Sequence, residues 1–90
     1  MSPALAGGKY KMGHLIVVRA TWDREANVWT AESSDLPGLV TEASTLDELD
    51  RKLPGLIQDL METYDDGEMD IPVEVVASFS KRVRVGARAA

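Results

Sequence analysis

The sequence predicts one small α+β domain with the element order β-β-β-α-β. Four stretches, at residues 14–22, 28–32, 39–43 and 72–79, have the apolar, β-branched composition and alternation of strands. Between the third and fourth, apolar residues recur at helical spacing from Leu46 to Tyr64. Short turns join the first three strands, so we expect an antiparallel meander, with the helix returning the fourth strand parallel to the first.

The first strand, His14 to Trp22, is apolar on both faces. Ile16 and Val18 lie on one face, and Leu15 and Val17 lie on the other. A domain of 90 residues has a thin core. We therefore expect self-association across the open face or edge of the sheet, in a homodimer or larger oligomer.

Turn and capping residues set the boundaries of the remaining elements. Asn27 suits the left-handed conformation that ends a hairpin loop, and Pro37-Gly38 predicts a turn. Thr45 can cap the helix while Glu48 returns a hydrogen bond to the cap amide. Pro54-Gly55 predicts a kink, or two short helices. The acidic run that includes Asp65, Asp66 and Gly67 is expected to end the helix.

Residues 14–80 form the predicted domain, between a flexible tail at 1–13 and a basic tail at 81–90. The chain has no cysteine, which excludes disulfides and thiolate metal sites. No apolar run is long enough for a membrane span, and no signal-peptide pattern is present, so we expect a soluble, cytoplasmic protein that does not bind a membrane.

Charge is segregated along the chain. Residues 23–70 carry fourteen acidic and three basic side chains, a net −11, whereas residues 1–22 and 71–90 are each +3. An acidic middle repels a phosphate backbone and attracts a basic protein. A solvated acidic face that only aids solubility is the alternative, and it is the commoner case.

No residue pattern predicts catalysis, a metal or a cofactor. His14 is the only histidine and has no cysteine or fixed acidic neighbour in sequence, and no serine lies in a nucleophile-elbow context. The acidic run from Asp65 to Asp70 lacks the closing glutamate of a calcium loop. We therefore expect no enzyme activity. Trp22 and Trp29 flank the hairpin and either cover the core, which we favour, or bind a partner.

Three runs together resemble the HicB-like domains: VRATWDREANVWTA at 18–31, SDLPGLVTEA at 34–43 and TLDEL at 45–49. The similarity is strongest to a subgroup of uncharacterised bacterial members. It covers about two thirds of the chain. The resemblance implies a partial ribonuclease-H-like fold without catalysis, and an antitoxin that sequesters a small basic ribonuclease toxin of the HicA kind. About ten residues follow the last strand here, so we expect no DNA binding without a separate domain.

We thus expect a non-catalytic protein-binding module. Carboxylates would steer the basic partner and apolar side chains would hold it. The candidate partner-binding residues are Trp29, Asp35, Leu36, Asp59 and Glu62. The alternative is a self-assembling orphan domain with no toxin.

Overall fold

The computed structural model describes residues 11–12, 14–61 and 69–86. Its main sheet has four strands, β1 (Ile16–Asp23), β2 (Val28–Glu32), β3 (Val40–Ala43) and β4 (Val73–Ser78), and one helix, α1 (Leu46–Met61). The spatial order is β3-β2-β1-β4. β1 is antiparallel to β2, β2 is antiparallel to β3, and β4 is parallel to β1. The predicted α+β fold and topology are confirmed.

The core lies between α1 and one face of the sheet. β1 alternates strictly at its start, with Ile16, Val18 and Ala20 buried. Side chains two residues apart share a face of a strand, so this alternation directs all three towards the helix. The other buried apolar residues come from β2, β3, α1 and the turn before β3: Ala31, Leu36, Leu39, Ala43, Leu49, Leu53 and Ile57.

The opposite face of the sheet is mostly polar. Exposed charged and hydroxyl side chains cover it, namely Arg19, Thr21, Thr30, Glu32 and Glu42. Val17 is only half-buried there, and Leu15 is exposed before β1 begins. Val28, Val40 and Val76 add further apolar side chains to this face, and the last two are exposed. Within β1, the predicted two-sided apolarity is confined to its start, because the exposed Arg19 and Thr21 follow Val17. Both this face and the edge of the sheet are therefore candidates for self-association.

Helix α1 continues through Pro54. Of the two alternatives expected at Pro54, a kink or two short helices, the division into two helices is wrong. Proline has no N–H to bond the carbonyl of Asp50, but both residues face solvent, where water can satisfy that carbonyl. Leu53 and Ile57, on either side of the proline, are buried and hold both halves of the helix on the sheet. The predicted helix end at 65–67 lies outside the described residues.

Two backbone positions behave as the turn chemistry predicts. Asn27 has φ 57° and Gly38 has φ 96°, both in the left-handed region. A Cβ on Gly38 would lie 3.3 Å from Cδ2 of Leu60, so the turn also passes close beneath the helix. Outside the predicted elements, Lys11–Met12 forms a two-residue parallel ladder with Met69–Asp70, which the prediction of a flexible tail over 1–13 did not include.

Candidate functional site

The main candidate site is an open cleft at the end of the helix-bearing face of the sheet, near the β1–β2 hairpin. Trp22 and Trp29 are directly opposite each other across β1 and β2, and Trp29 is opposite Ala43 of β3. Both side chains are half-buried, and Trp29 packs against the core, as the favoured interpretation of the sequence expects. Chain direction explains why the helix does not cover them further. β3 runs towards this end, and α1 begins at Leu46 and runs back along the sheet, so the helix does not extend over the tryptophans.

The cleft has an aromatic floor and a charged rim. The rings of Trp22 and Trp29 meet edge to face, with centroids 5.4 Å apart and planes at 63°. Phe79, just after β4, adds a third ring, and Leu46 adds an aliphatic side chain. Arg24, Asp47 and Lys81 carry the charges around a volume of about 650 Å³, which Ser44 and Thr45 also line. We call this surface the aromatic cleft.

The start of α1 fixes one wall of the aromatic cleft. The N–H of Glu48 donates to Oγ1 of Thr45 at 3.0 Å, as a capping box requires. The return bond differs from the expected one, because the Glu48 carboxylate accepts from the N–H and Oγ–H of Ser44 at 2.7 and 2.9 Å rather than from the amide of Thr45. Both bonds from Ser44 lower the pKa of Glu48, and the backbone N–H contributes more than the side-chain hydroxyl.

The hairpin loop fixes the opposite wall. Oδ1 of Asp23 accepts from the N–H groups of Glu25 and Ala26 at 3.0 and 3.2 Å, which orders the loop. Arg24 then donates through Nη2 to the carbonyl of Ser80. This bond joins the loop to the chain just beyond β4, and so places Phe79 and Lys81 at the cleft.

Asp35 and Leu36, two of the predicted partner-binding residues, have structural roles. Oδ2 of Asp35 accepts from the N–H of Val17 at 2.8 Å, where β2 no longer pairs with β1. Leu36 is buried, with 4% of its surface exposed, and its carbonyl accepts from the N–H of Leu39 within the turn. A partner could contact the exposed Asp35 carboxylate, but it could reach the Leu36 side chain only if this turn moved.

The predicted site residues do not form one surface. Val17, bonded to Asp35, is about 16 Å along β1 from Trp22, at about 3.3 Å per residue. Asp59 is exposed next to Leu60, which packs near Gly38, and so belongs to the Asp35 end of the domain. Glu62 lies outside the described residues. Trp29 alone lies at the aromatic cleft.

Sequence reasoning did not select Leu46 or Phe79. Leu46 reads as a core position by helical spacing, yet it is 40% exposed because it precedes the part of α1 that meets the sheet. Phe79 could be placed from the strand register: since Ala20 pairs with Ala77, the next residues on the same face are Trp22 and Phe79. The register depends on tertiary structure, and so the sequence pattern alone could not supply it.

A second, smaller groove separates α1 from the edge strand β4. It has a volume of about 320 Å³. Apolar side chains of both elements line it, with Asp50 and Gln58 among them; the apolar set is Leu53, Pro54, Ile57, Ile71, Val73 and Val75. Within the described residues, Val73 and Val75 of β4 are only partly covered on this side, with 39% and 41% of their surface exposed.

Chemically reactive groups are dispersed. Among residues 11–12, 14–61 and 69–86, no three histidine, aspartate or glutamate side chains are grouped closely enough to hold a metal ion. His14 is exposed. Ser33 is buried, and its Oγ accepts from the N–H of Asp35. The helix in the described part of the chain is neither long nor apolar enough to cross a membrane.

The fold and sites define a small α+β domain of one mixed sheet and one helix. A family model described as a domain of unknown function, DUF1902, matches residues 15–87, and the chain belongs to this family. The chain is also similar to the crystal structure of hypothetical protein TTHA1013 from the extremely thermophilic bacterium Thermus thermophilus. That match has 41% identity and a TM-score of 0.56 over 79% of this chain and 99% of the other. No curated protein matches the chain significantly.

Proposed function

We propose that this chain is a non-catalytic protein-binding module of the cytoplasm, and that the aromatic cleft is its docking surface. The observation that carries the proposal is the pair of tryptophans beside the N-terminal end of α1, which the helix does not cover. Aromatic side chains in a partly desolvated hollow supply much of the binding energy of protein interfaces, and charged rims set orientation. The cleft combines three aromatic rings with charges of both signs.

The partner proposed is a small basic ribonuclease toxin of the HicA kind, with this chain as its antitoxin. The resemblance of residues 18–49 to HicB-like domains supports this role, as does the net −11 of residues 23–70. Asp47 at the rim and Asp59 on α1 are both exposed to solvent. The rim also carries Arg24 and Lys81, so the attraction of a basic surface comes from the acidic middle segment as a whole and not from the cleft. Charge would then accelerate association, and the aromatic floor would slow dissociation.

Inhibition of RNA cleavage tests this role directly. The probe is the purified small basic protein encoded beside this chain, and the readout is cleavage of a labelled RNA as the chain is added. We expect stoichiometric inhibition that weakens as salt rises. A neighbouring protein that is neither basic nor inhibited, or whose toxicity the chain does not relieve in cells, would overturn the antitoxin role.

Leu46→Ser tests the docking surface, because Leu46 lines the cleft without belonging to the core. Removing an apolar contact of this size should weaken binding about tenfold, through faster dissociation. Val40→Ser is the matched control, since Val40 is exposed on the far edge strand β3. Asp59→Lys should slow association instead. Asp35 is unsuitable for this test, because its carboxylate also bonds Val17.

Self-assembly is the second candidate function. The specific observation in its favour is β4, every residue of which is exposed although the strand contributes three valines to the sheet. A domain that uses this edge to bind copies of itself needs no toxin. Inhibition of a neighbouring ribonuclease and self-assembly are measured separately, but Phe79 and Lys81 of the aromatic cleft lie directly after β4, so the two surfaces share these residues.

A further inference from the structure

We propose that β4 and residues 79–86 form a two-fold interface with a second copy of this chain, in which each copy's C-terminal segment pairs antiparallel with the other copy's β4. We call residues 79–86 the C-terminal arm. The proposal rests on the second candidate function, self-assembly, and gives it a defined interface and register.

The outer edge of β4 is free for pairing. The carbonyl of Pro72 accepts from the N–H of Ile16, so even-numbered residues of β4 direct their backbone groups towards β1. The odd-numbered residues Val73, Val75 and Ala77 direct theirs outward, where no described residue pairs with them. An edge strand with open backbone groups is a template for another strand. Between Val73 and Ser78 this edge has no proline or lysine, and one charge, Glu74.

The C-terminal arm continues the pattern of β4. In an extended chain, odd-numbered residues from 73 to 85 share the helix-bearing face, and six of these seven are apolar: Val73, Val75, Ala77, Phe79, Val83 and Val85. The carbonyl of Ser80, an even-numbered residue, accepts from Arg24, so it is bonded on the β1 side, as the carbonyls of the even-numbered residues of β4 are. Gly86, with φ 99°, interrupts an extended conformation directly after Val85.

Nothing in the described part of the chain contacts the apolar side chains of the arm enough to cover them. Phe79 is 64% exposed, Val83 71% and Val85 82%. The arm therefore carries an apolar alternation typical of a buried strand face, but without a surface of its own chain to cover it. A second copy supplies such a surface, because apolar side chains line the groove between α1 and β4, and two of them, Val73 and Val75, are 39% and 41% exposed.

A two-fold axis at Phe79 makes the two sequences complementary. Odd-numbered residues, whose backbone groups point outward, then pair with odd-numbered residues of the other copy: Val73 with Val85, Val75 with Val83, and Phe79 with Phe79. On the other face, Glu74 is opposite Arg84. Moving the register by two residues in either direction would set Lys81 opposite Val75 or Phe79. With the axis at Phe79, Lys81 lies opposite Ala77. Ala77 is the smallest of the three apolar side chains, so this register sets the charge against the least apolar surface.

Charge favours a second copy of this chain, rather than a different protein, as the partner of β4 and the arm. The arm carries Lys81, Arg82 and Arg84 with no acidic residue, whereas the body of the chain is strongly acidic. In the proposed register, Val83 and Val85 of one copy enter the α1–β4 groove of the other, and the basic arm passes the groove that Asp50 lines. Each copy therefore donates one basic arm and one apolar groove with a carboxylate, Asp50, in its lining.

Sedimentation equilibrium of the full chain measures the interface. We expect a dimer at tens of micromolar. Val83→Asp combined with Val85→Asp should weaken it at least about tenfold, because two carboxylates would enter an apolar groove. Val40→Asp is the control, because Val40 is 72% exposed, as Val83 is, but lies on the opposite edge strand. It should leave the dimer intact.

Two further variants test the register. Glu74→Arg and Arg84→Glu should each weaken the dimer, and the double variant should restore it, since the exchange recreates an opposite pair. The chain has no cysteine, so Phe79→Cys introduces one thiol per copy at the axis. Opposed residues there would be about 5.5 Å apart between Cα atoms, which permits a disulfide. Val40→Cys should not cross-link.

The outcomes separate this interface from self-assembly in general. A dimer that persists in the double aspartate variant would overturn the β4 interface while self-assembly survived. A monomer at every concentration tested would overturn both. Ribonuclease inhibition by a chain that remains monomeric would leave the antitoxin role in place without either.

Discussion

The two neighbours of β1 have similar apolar patterns but different surroundings. On one side, β2 and β3 place Ala31 and Ala43 beneath α1, where both are buried. On the other side, β4 places Val73 and Val75 on the same face of the sheet, and both remain exposed. The helix causes the difference, because it follows β3 directly and is tied to it where Nζ of Lys52 donates to the carbonyl of Glu42 at 2.6 Å. Alternation thus predicts which face of a strand is apolar, but not whether its own chain covers it.

The largest expected effect distinguishes a covered from an uncovered position. Leu49 of α1 is 1% exposed, whereas Val75 of β4 is 41% exposed. Leu49→Ala should lower the free energy of unfolding by about 2–5 kcal/mol, since it removes buried methyl groups and leaves a cavity. Urea denaturation followed by tryptophan fluorescence measures it.

Val75→Ala is the matched change on the uncovered side. Its effect should depend on protein concentration, because Val75 would be buried only when a second copy covers β4. Equal, concentration-independent losses in the two variants would show that β4 is as well covered as the rest of the sheet within one chain, and would contradict the comparison.

Much of the fold followed from local chemistry. Asn27, Gly38 and the cap bond between Thr45 and Glu48 each depend on neighbours in sequence, and all three have the expected geometry. At Pro54 the sequence predicts a kink or two short helices, and the second alternative is wrong, because the burial of Leu53 and Ile57 holds one continuous helix on the sheet. Tertiary packing on both sides of the proline outweighs its local preference.

The site was less predictable than the fold. Trp29 was selected as a candidate for partner binding and lies at the aromatic cleft, but Asp35 and Leu36 were selected from a family motif whose conspicuous residues build the turn. The aromatic cleft and the α1–β4 groove depend on where the helix starts and which strands it covers. The start of the helix and the set of strands that it covers are not encoded in the periodicity of any one element. The sequence pattern therefore could not place the aromatic cleft or the α1–β4 groove.

Two glycines provide the next comparison, between a position beneath the helix and one facing solvent. Gly38 has φ 96° and a Cβ there would lie 3.3 Å from Leu60, so Gly38→Ala should destabilise the chain by about 1–2 kcal/mol. Gly55 lies within α1 with nothing within 4 Å of a Cβ, so Gly55→Ala should stabilise by about 0.5–1 kcal/mol. Thermal unfolding of the two variants should shift in opposite directions, and a shift of the same sign would contradict this assignment.

The smallest expected effect concerns the boundary between α1 and the aromatic cleft. The bonds from Ser44 lower the pKa of Glu48 in the folded chain, so the ionised carboxylate stabilises the fold at pH values above its unfolded pKa, about 4.3 for a free glutamate. This contribution is lost as pH falls through the folded pKa, where the carboxylate takes up a proton.

Glu48→Gln should therefore remove part of the acid dependence of stability while leaving the Ser44 bonds possible through its amide oxygen. Unfolding curves for both chains, measured from neutral pH to below the glutamate range, should converge at the acidic end. Asp47→Asn is the control, because Asp47 lies in the same helical turn without the bonds to Ser44, and it should not reproduce the convergence. Curves for Glu48→Gln that stay parallel to those of the unmodified chain across this range would show that the bonds from Ser44 do not depend on the charge of Glu48.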